Sequence, residues 1–361
     1  MTSPKTYIIA EAGVNHNGSV DMALQLVDVA ADAGADAVKF QTFRTDHLVS
    51  KDAPKAEYQK TTTSRTESQY DMLKRLELRP EDHSRILERC RMKGIEFIST
   101  PFDRDSVDLL TDHLHVGKLK ISSGDLTNAP LLLHMARKKK PMILSTGMGT
   151  LGEIETALQV LAFGLSAPDS AEPSPEAFLA AYYSSTGREA LSAYVTLLHC
   201  TTEYPAPFED VNLKVMDTLR QAFGLPTGLS DHTPGIAVPI AAVARGAAVI
   251  EKHFTLDKTL PGPDHAASLE PHELKSMIES IRQIERALGD SVKVPADSEI
   301  KNMNIARKSL VAARDIAEGE RFSEENLTVK RPGNGFSPLM YWQLMGTRAP
   351  KSFAKDEVIR W

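Results

Sequence analysis

The chain has 361 residues, room for one large domain and a small one. Its 42% apolar content can fill a sizeable core, while a formal charge of −6 and a pI near 6.0 argue against a general nucleic-acid binder. Two distant cysteines, Cys90 and Cys200, make no disulfide framework and fit a reducing cytosol; no signal-like region opens the chain and no apolar stretch nears transmembrane length, so a cytoplasmic protein off the membrane is expected.

Eight short apolar runs, each meeting a polar or charged group of a catalytic type, follow one another along the chain. The first, Tyr7 to Ala10, ends at Glu11, and an amphipathic helix is expected over Met22 to Ala33. Ala37 to Gln41 is the second and carries Lys39 and Gln41. Residues 43–70 are then polar and rich in Lys and Thr; a long loop after a strand lies on the active side of a βα unit and is expected to act as a lid. A helix over Glu81 to Lys93 stops at Gly94. Ile95 to Ile98 leads to Ser99 and Thr100, and a helix follows over Ser106 to His113. Leu119 to Ile121 carries Lys120 and meets Ser122 and Ser123, before a helix over Leu131 to Lys139 whose basic end, Arg137 to Lys140, is the one basic run. Met142 to Leu144 leads to Ser145, with a helix over Glu153 to Phe163. Residues 165–192, with Pro168, Pro173 and Pro175, stand between a helix and a strand, which makes them an insertion on the opposite face. Val195 to Leu198 leads to Thr201 and Thr202, with a helix over Leu213 to Phe223. Gly228 and Leu229 lead to Ser230, Asp231 and His232, with a helix over Ile236 to Arg245. Val249 and Ile250 are flanked by Glu251 and His253, and a helix over Glu273 to Leu288 closes the series.

Alternating strands and helices imply a parallel sheet, and eight strands imply closure into a (β/α)8 TIM barrel over residues 1–289, with an open doubly wound sheet as the alternative. Residues 290–303 read as a linker. Residues 304–361 read as a small β-rich domain, with strands around Ser309 to Ala313, Asp315-Ile316 and Leu327 to Gly333. So small an appendage is expected to have little core of its own and to pack on another surface.

Polar strand ends in a barrel gather on one face, so these residues are read together. His232 and His253 end adjacent strands and can share a divalent metal, leaving positions for substrate or water; a hydrogen-bonded structural role is the alternative for each. His199 reads as core. Lysines inside apolar strands need a counter-charge. Lys39 and Lys120 therefore point either to a strongly anionic ligand, with Thr100, Ser123, Ser145 and Ser230 as hydroxyl donors, or to structural pairing with Glu11 and Glu251, or to a Schiff-base lysine. Glu11 is a candidate general base or a partner of Lys39. Asp264, in Pro261 to Asp264, is placed to hold a sugar hydroxyl or simply a turn. Arg331 is a loop charge unless a ligand claims it.

The run Ile9 to Gly18 (IAEAGVNHNG) resembles the opening motif of the sialic acid (nonulosonic acid) synthases. Lys39-Phe40-Gln41-Thr42, Ser99 to Phe102, Leu144 to Met148, Ser230 to Thr233 and Glu251 to Phe254 resemble the same family, and Lys330 to Gly335 resembles the marker of its antifreeze-like (SAF) domain. The resemblance covers nearly the whole chain apart from 165–192. It implies condensation of phosphoenolpyruvate with an N-acetylated mannosamine-type sugar. By the same resemblance His232 and His253 are ligands for Mn²⁺ or Mg²⁺, and Lys39, Thr100, Lys120, Ser123, Ser145 and Ser230 contact phosphoenolpyruvate. Glu11 is the catalytic carboxylate, Gln41, Tyr204 and Asp264 line the sugar site, and Arg331 reaches the partner's barrel in a domain-swapped homodimer. Thr202 stands where the N-acetylneuraminate branch often has Asn, and Asp125 where Glu is common. The runs Cys200 to Phe208 and Phe254 to Lys258 look more like the legionaminic acid synthases, which use 2,4-diacetamido-2,4,6-trideoxymannose; N-acetylmannosamine is the alternative sugar. A Schiff-base lyase, and a carbohydrate- or ice-binding protein with an inactive barrel, are the competing readings.

Overall fold

The computed structural model describes residues 5–56, 59, 63 and 67–361. The chain forms two compact units, residues 1–289 and 290–361.

The first unit is built on eight parallel strands: β1 (Tyr7–Gly13), β2 (Ala37–Thr42), β3 (Glu96–Pro101), β4 (Leu119–Ile121), β5 (Met142–Ser145), β6 (Val195–Cys200), β7 (Thr227–Asp231) and β8 (Val249–His253). Their hydrogen-bonded order is β3-β2-β1-β8-β7-β6-β5-β4, and β3 and β4 pack side by side to close the ring. The open doubly wound sheet is thereby set aside. Period-two alternation does the sorting. Ile8, Ala10, Val38, Phe40, Phe97, Leu119, Ile121, Leu144, Leu197 and Ile250 point outward into the core shared with the helices. Ile9, Ala37, Ile98, Ile143, Leu198 and Val249 form a separate apolar cluster inside the barrel. Two residues further along those same inward rows stand Glu11, Lys39, Thr100, Ser145, Cys200 and Glu251. An apolar plug therefore underlies a polar layer at the C-terminal strand ends.

The helices begin where their sequences offer a cap. Ser19, Asp103, Asn128 and Thr150 each accept a backbone N–H of the first turn, and Thr150 and Glu153 form a reciprocal capping box. Gly94 ends the helix Pro80–Lys93 at φ +69°, a left-handed position that a Cβ disfavours. The helix expected over Ser106 to His113 is split: an α turn at Arg104–Asp108 passes into a π-helical turn at Leu109–His113. The insertion is helical, Pro175–Tyr183 and Ser185–Tyr194, and packs on the helix Leu151–Ser166 with Phe178 edge-on to Phe163 at 5.2 Å. It precedes β6, hence its place at the N-terminal end of that strand. The lid expected over 43–70 lies partly outside the described residues; around it stand the short helix Thr45–Leu48 and the helix Gln69–Leu76.

Four expectations for the second unit need correction. The stretch 290–303 is not an irregular linker throughout, because a helix spans Asp297–Ala306, with Glu299 accepting the Ala296 N–H at its start. The unit also has its own core of Leu310, Ala312, Ile316, Phe322, Leu327, Leu344, Ala349, Phe353 and Ile359. Strands β9 (Ser309–Ala312) and β10 (Leu327–Lys330) pair antiparallel, and Ile316 makes an isolated bridge to Phe353 in place of the expected third strand. Strand β10 stops before Arg331 and Pro332 rather than running to Gly333; Pro332 has no N–H to give a ladder. Among the described residues no helix is long and apolar enough to cross a membrane.

Candidate active site

A cavity of about 390 Å³ opens at the C-terminal strand ends of the barrel. Glu11, Lys39, Gln41, Thr100, Lys120, Ser123, Ser145, Thr202, Tyr204, Ser230, His232, His253 and Asp264 all line it. Arg331 belongs to the second unit, where it is exposed.

The floor is an alternating set of charges. Lys39 Nζ lies 2.8 Å from Glu11 Oε1 and 3.9 Å from Glu251 Oε2, and donates to Thr100 Oγ1 at 3.0 Å. Lys120 Nζ lies 3.6 Å from Glu251 Oε1 and donates to Ser145 Oγ at 2.6 Å. Ser230 Oγ donates to Glu251 Oε1 at 2.8 Å. Strand register enforces these meetings, since Glu11 pairs with Lys39 on one side and with His253 on the other, and Ser230 pairs with Glu251. All four charged groups are buried. Burial raises the Glu11 carboxyl to about 7 against the pull of Lys39. Burial also works against the Lys39 ammonium, but Glu11 and Glu251 outweigh it and hold its pKa above the ordinary value. Lys120 faces one carboxylate at longer range, and burial leaves its pKa below the ordinary lysine value. The structural pairing of the lysines with Glu11 and Glu251 and a role toward an anion are therefore not exclusive. The same network favours the charged form of Lys39 and holds both lysines in place.

The second wall carries the imidazoles. His232 and His253 stand with ring centroids 5.3 Å apart, and the Tyr204 ring lies 4.1 Å from His232 and 5.5 Å from His253. His232 Nδ1 donates to the Thr201 carbonyl at 2.6 Å, so in the neutral ring the lone pair is on Nε2. His253 Nδ1 is buried without a protein partner, 3.8 Å from Asp264 Oδ2. Burial, then the positive neighbours His232 and Lys39, hold His253 well below the ordinary histidine pKa, so the ring is neutral. Burial raises Asp264 to about 6. Burial works against the charged form of His232, but Cys200 and the Thr201 carbonyl outweigh it and hold its pKa above the ordinary value; once that proton is displaced, one ring nitrogen from each of two adjacent strand ends suits a divalent cation. No group of three or more His, Cys, Asp and Glu is arranged for a metal among the described residues; a cation held by this pair would take its remaining ligands from substrate or water. Glu11 Oε2, Glu251 Oε2 and Thr202 Oγ1 are likewise buried without a hydrogen-bond partner. Such a concentration of unmet polar atoms around one cavity marks a ligand site.

Gly13 shows how closely the backbone approaches. It sits at φ +52° beside an irregularity in the β1–β2 ladder, and a Cβ there would come 3.2 Å from Glu11 Oε1 and 3.5 Å from His253 Cε1. The next residues are scaffolding: Asn15 Nδ2 donates to the Phe254 carbonyl and to Ser268 Oγ, and His16 Nδ1 accepts the Gly18 N–H. His199 Nε2 bonds to the Val211 carbonyl at 2.5 Å and stays out of the cavity. Asp125, named in the sequence as a departure, bonds to Asn128 and does not line it either.

Sequence reasoning underrated Glu251 as a bare structural partner; strand alternation already puts it on the inward face with His253. It missed the ion pair behind the histidines, where Lys252 Nζ meets Asp231 Oδ2 at 2.5 Å with both groups buried. It also missed the apolar wall formed by Leu48, Val49, Met72 and Leu73.

The model of the NeuB family matches residues 26–293, and that of the SAF domain matches residues 307–361. The chain belongs to the NeuB family. It is 51% identical to the N,N'-diacetyllegionaminic acid synthase of Campylobacter jejuni, over 99% of both chains. It is 47% identical to that of Legionella pneumophila, over 100% of this chain and 95% of the relative. Among solved structures it resembles the N-acetylneuraminic acid (sialic acid) synthetase of Leptospira borgpetersenii, crystallised with citrate. That match has a TM-score of 0.66 and 33% identity, and covers 83% of this chain and 90% of the other.

Proposed function

We propose that this NeuB-family protein is a nonulosonic acid synthase. In this reading it condenses phosphoenolpyruvate with 2,4-diacetamido-2,4,6-trideoxymannose and water to give N,N'-diacetyllegionaminate and phosphate. The observation that carries the reaction class is the buried pair of lysines flanked by hydroxyls on the cavity floor, beside the imidazoles of His232 and His253 on adjacent strand ends. The choice of sugar follows the full-length relatives.

Phosphoenolpyruvate is a compact polyanion. Lys39 and Lys120 offset its charge, and Thr100, Ser123, Ser145 and Ser230 donate hydrogen bonds to its oxygens. Because each ammonium is already held by a carboxylate and a hydroxyl, little reorganisation is needed when the anion arrives. His232 and His253 would hold Mn²⁺ or Mg²⁺, which when bound supplies Lewis-acid polarisation of the sugar aldehyde. Gln41, Tyr204 and Asp264 orient the open-chain sugar. The C3 carbon of phosphoenolpyruvate forms a bond to the aldehyde carbon, whose oxygen takes up a proton, and positive character develops at C2. Glu11, raised to about 7, is poised to accept the proton of the water that adds at C2. The C2–O bond to phosphate then breaks, phosphate leaves, and the C2 ketone remains. Arg331 from the second unit of a partner subunit completes the sugar site in this reading, which makes the working form a domain-swapped homodimer. Two buried free cysteines fit work in the cytosol.

The test is phosphate release from phosphoenolpyruvate with Mn²⁺, comparing the trideoxy sugar with N-acetylmannosamine, each with and without EDTA. Preference for the trideoxy sugar and loss with EDTA are expected. Preference for N-acetylmannosamine would make the protein an N-acetylneuraminate synthase, and release that survives EDTA would remove the metal from the scheme. A lysine adduct trapped by borohydride with pyruvate would instead place it with Schiff-base lyases.

A further inference from the structure

The cavity has two chemically different sides. Its floor and one wall are built from charged and hydroxyl groups, as described above. A further wall comes from the segment after β2, where Leu48, Val49, Met72, Leu73 and Leu76 stand beside Gln59 and Gln69. Phe43, Met72 and Leu76 of this segment join Val14, which follows β1, in a satellite core over the barrel mouth, with Leu48, Leu73 and Phe102 packed on its edge. The helix Gln69–Leu76 needs only Met72 and Leu76, one turn apart, to anchor it. Leu48, Val49 and Leu73 are half-buried and turn remaining surface to the cavity. Apolar groups left facing a polar cavity, in a segment otherwise dominated by Lys and Thr, call for an apolar partner.

Resting on the synthase reading, we propose that Leu48, Val49 and Leu73 form an apolar subsite for the methyl-bearing, deoxygenated end of the sugar. This subsite sets the preference for a 2,4-diacetamido-2,4,6-trideoxy sugar over N-acetylmannosamine. The two sugars share the reacting aldehyde end and the acetamido group beside it. They differ at C4, where a second acetamido group replaces a hydroxyl, and at C6, where a methyl replaces a hydroxymethyl. With the aldehyde end beside His232 and His253, the distal end is assigned to the wall that Leu48, Val49 and Leu73 share with Gln69. An acetamido methyl and a C6 methyl gain by covering Leu48, Val49 and Leu73. A hydroxyl pressed on the same surface loses its water and finds no partner. Gln69 lines the cavity from the same helix and offers a carboxamide to the second acetamido group.

The experiment compares kcat/KM for both sugars in the full-length enzyme, with saturating phosphoenolpyruvate and Mn²⁺, in Leu73→Gln and Val49→Thr, with Met92→Gln as an exposed control outside the cavity. The ratio of trideoxy sugar to N-acetylmannosamine is expected to fall at least tenfold in Leu73→Gln and severalfold in Val49→Thr, mainly through KM, and to hold in the control. Both positions are half-buried and Val49→Thr is isosteric, so melting temperatures are expected to stay within a few degrees. A ratio unchanged in both variants, or equal losses on the two sugars, overturns the subsite while leaving the synthase reading intact. Wild-type enzyme that releases phosphate with neither sugar overturns the synthase reading and the subsite with it.

Discussion

Replacing Lys252 by Met tests what holds the two histidine-bearing strand ends in register. Lys252 and Asp231 are partners in the β7–β8 ladder, and they alternate with Glu251, His253, Ser230 and His232, so they point away from the cavity. Nζ lies 2.5 Å from Asp231 Oδ2 and also donates to the Thr233 carbonyl, while Asp231 accepts from the Thr233 N–H at 3.1 Å and its hydroxyl at 2.9 Å. The side chains are 0% and 1% exposed, so water cannot replace either partner. At that distance the attraction is about 7 kcal/mol for an effective dielectric constant near 20. Much of it offsets the cost of burying both charges, as the lowered pKa of Lys252 records: burial depresses it further than Asp231 restores it. Removing the lysine alone forfeits the attraction and leaves the aspartate's burial uncompensated, for a loss of about 3–5 kcal/mol. In a unit of this size that corresponds to a melting temperature lower by about 5–8 °C. Lys252→Met combined with Asp231→Asn removes both charges and retains an acceptor for Thr233, so at least half of the loss should return. Calorimetric melting of the four proteins in this cycle measures it. A single variant within about 1 kcal/mol of wild type, or a double variant no more stable than Lys252→Met, would refute the argument.

Three further outcomes follow from the same geometry. Lys39→Met and Lys120→Met should each lower kcat/KM for phosphoenolpyruvate by roughly 10²–10³-fold, with Lys39→Met also destabilising because it strands buried Glu11; steady-state phosphate release and melting curves separate the two effects. His16 is held neutral by burial, its pKa lowered to about 4 from 6.5. Above pH 6.5 neither folded nor unfolded chain binds the proton; as pH falls from 6.5 to 4 the unfolded chain takes it and the native one does not, so stability drops by up to about 3 kcal/mol across that window. His16→Asn keeps an acceptor for the Gly18 N–H and should flatten this part of the melting profile, and a variant that slopes as steeply as wild type would remove His16 from the account. Arg331→Ala should raise the KM for the sugar while changing that for phosphoenolpyruvate little; equal losses on both would sink the arginine's part in the sugar site.

How much of this is legible in the sequence depends on the range of the interaction. The barrel strands were readable because each carries its own instruction: an apolar residue facing inward, then a polar one two positions later, as in Ile9 to Glu11 or Val249 to Glu251 to His253. Closure turns eight such local patterns into one polar layer, so the cavity lining could be named from strand ends alone. The ion pairs could not, because they depend on which residues the ladder sets side by side. Lys252 looked like an ordinary charge between Glu251 and His253 until the register placed it against Asp231. The segment after β2 failed for a different reason. Leu48, Val49 and Leu73 have no period to read, lying in two short helical pieces separated by polar sequence, and only the satellite core around Met72 and Leu76 brings them to one wall. Strand ends carry the chemistry that any sequence with this pattern can perform. The wall made by the loop after β2 is free to change without disturbing the barrel, and that is where physical reasoning locates the choice between two sugars that react alike.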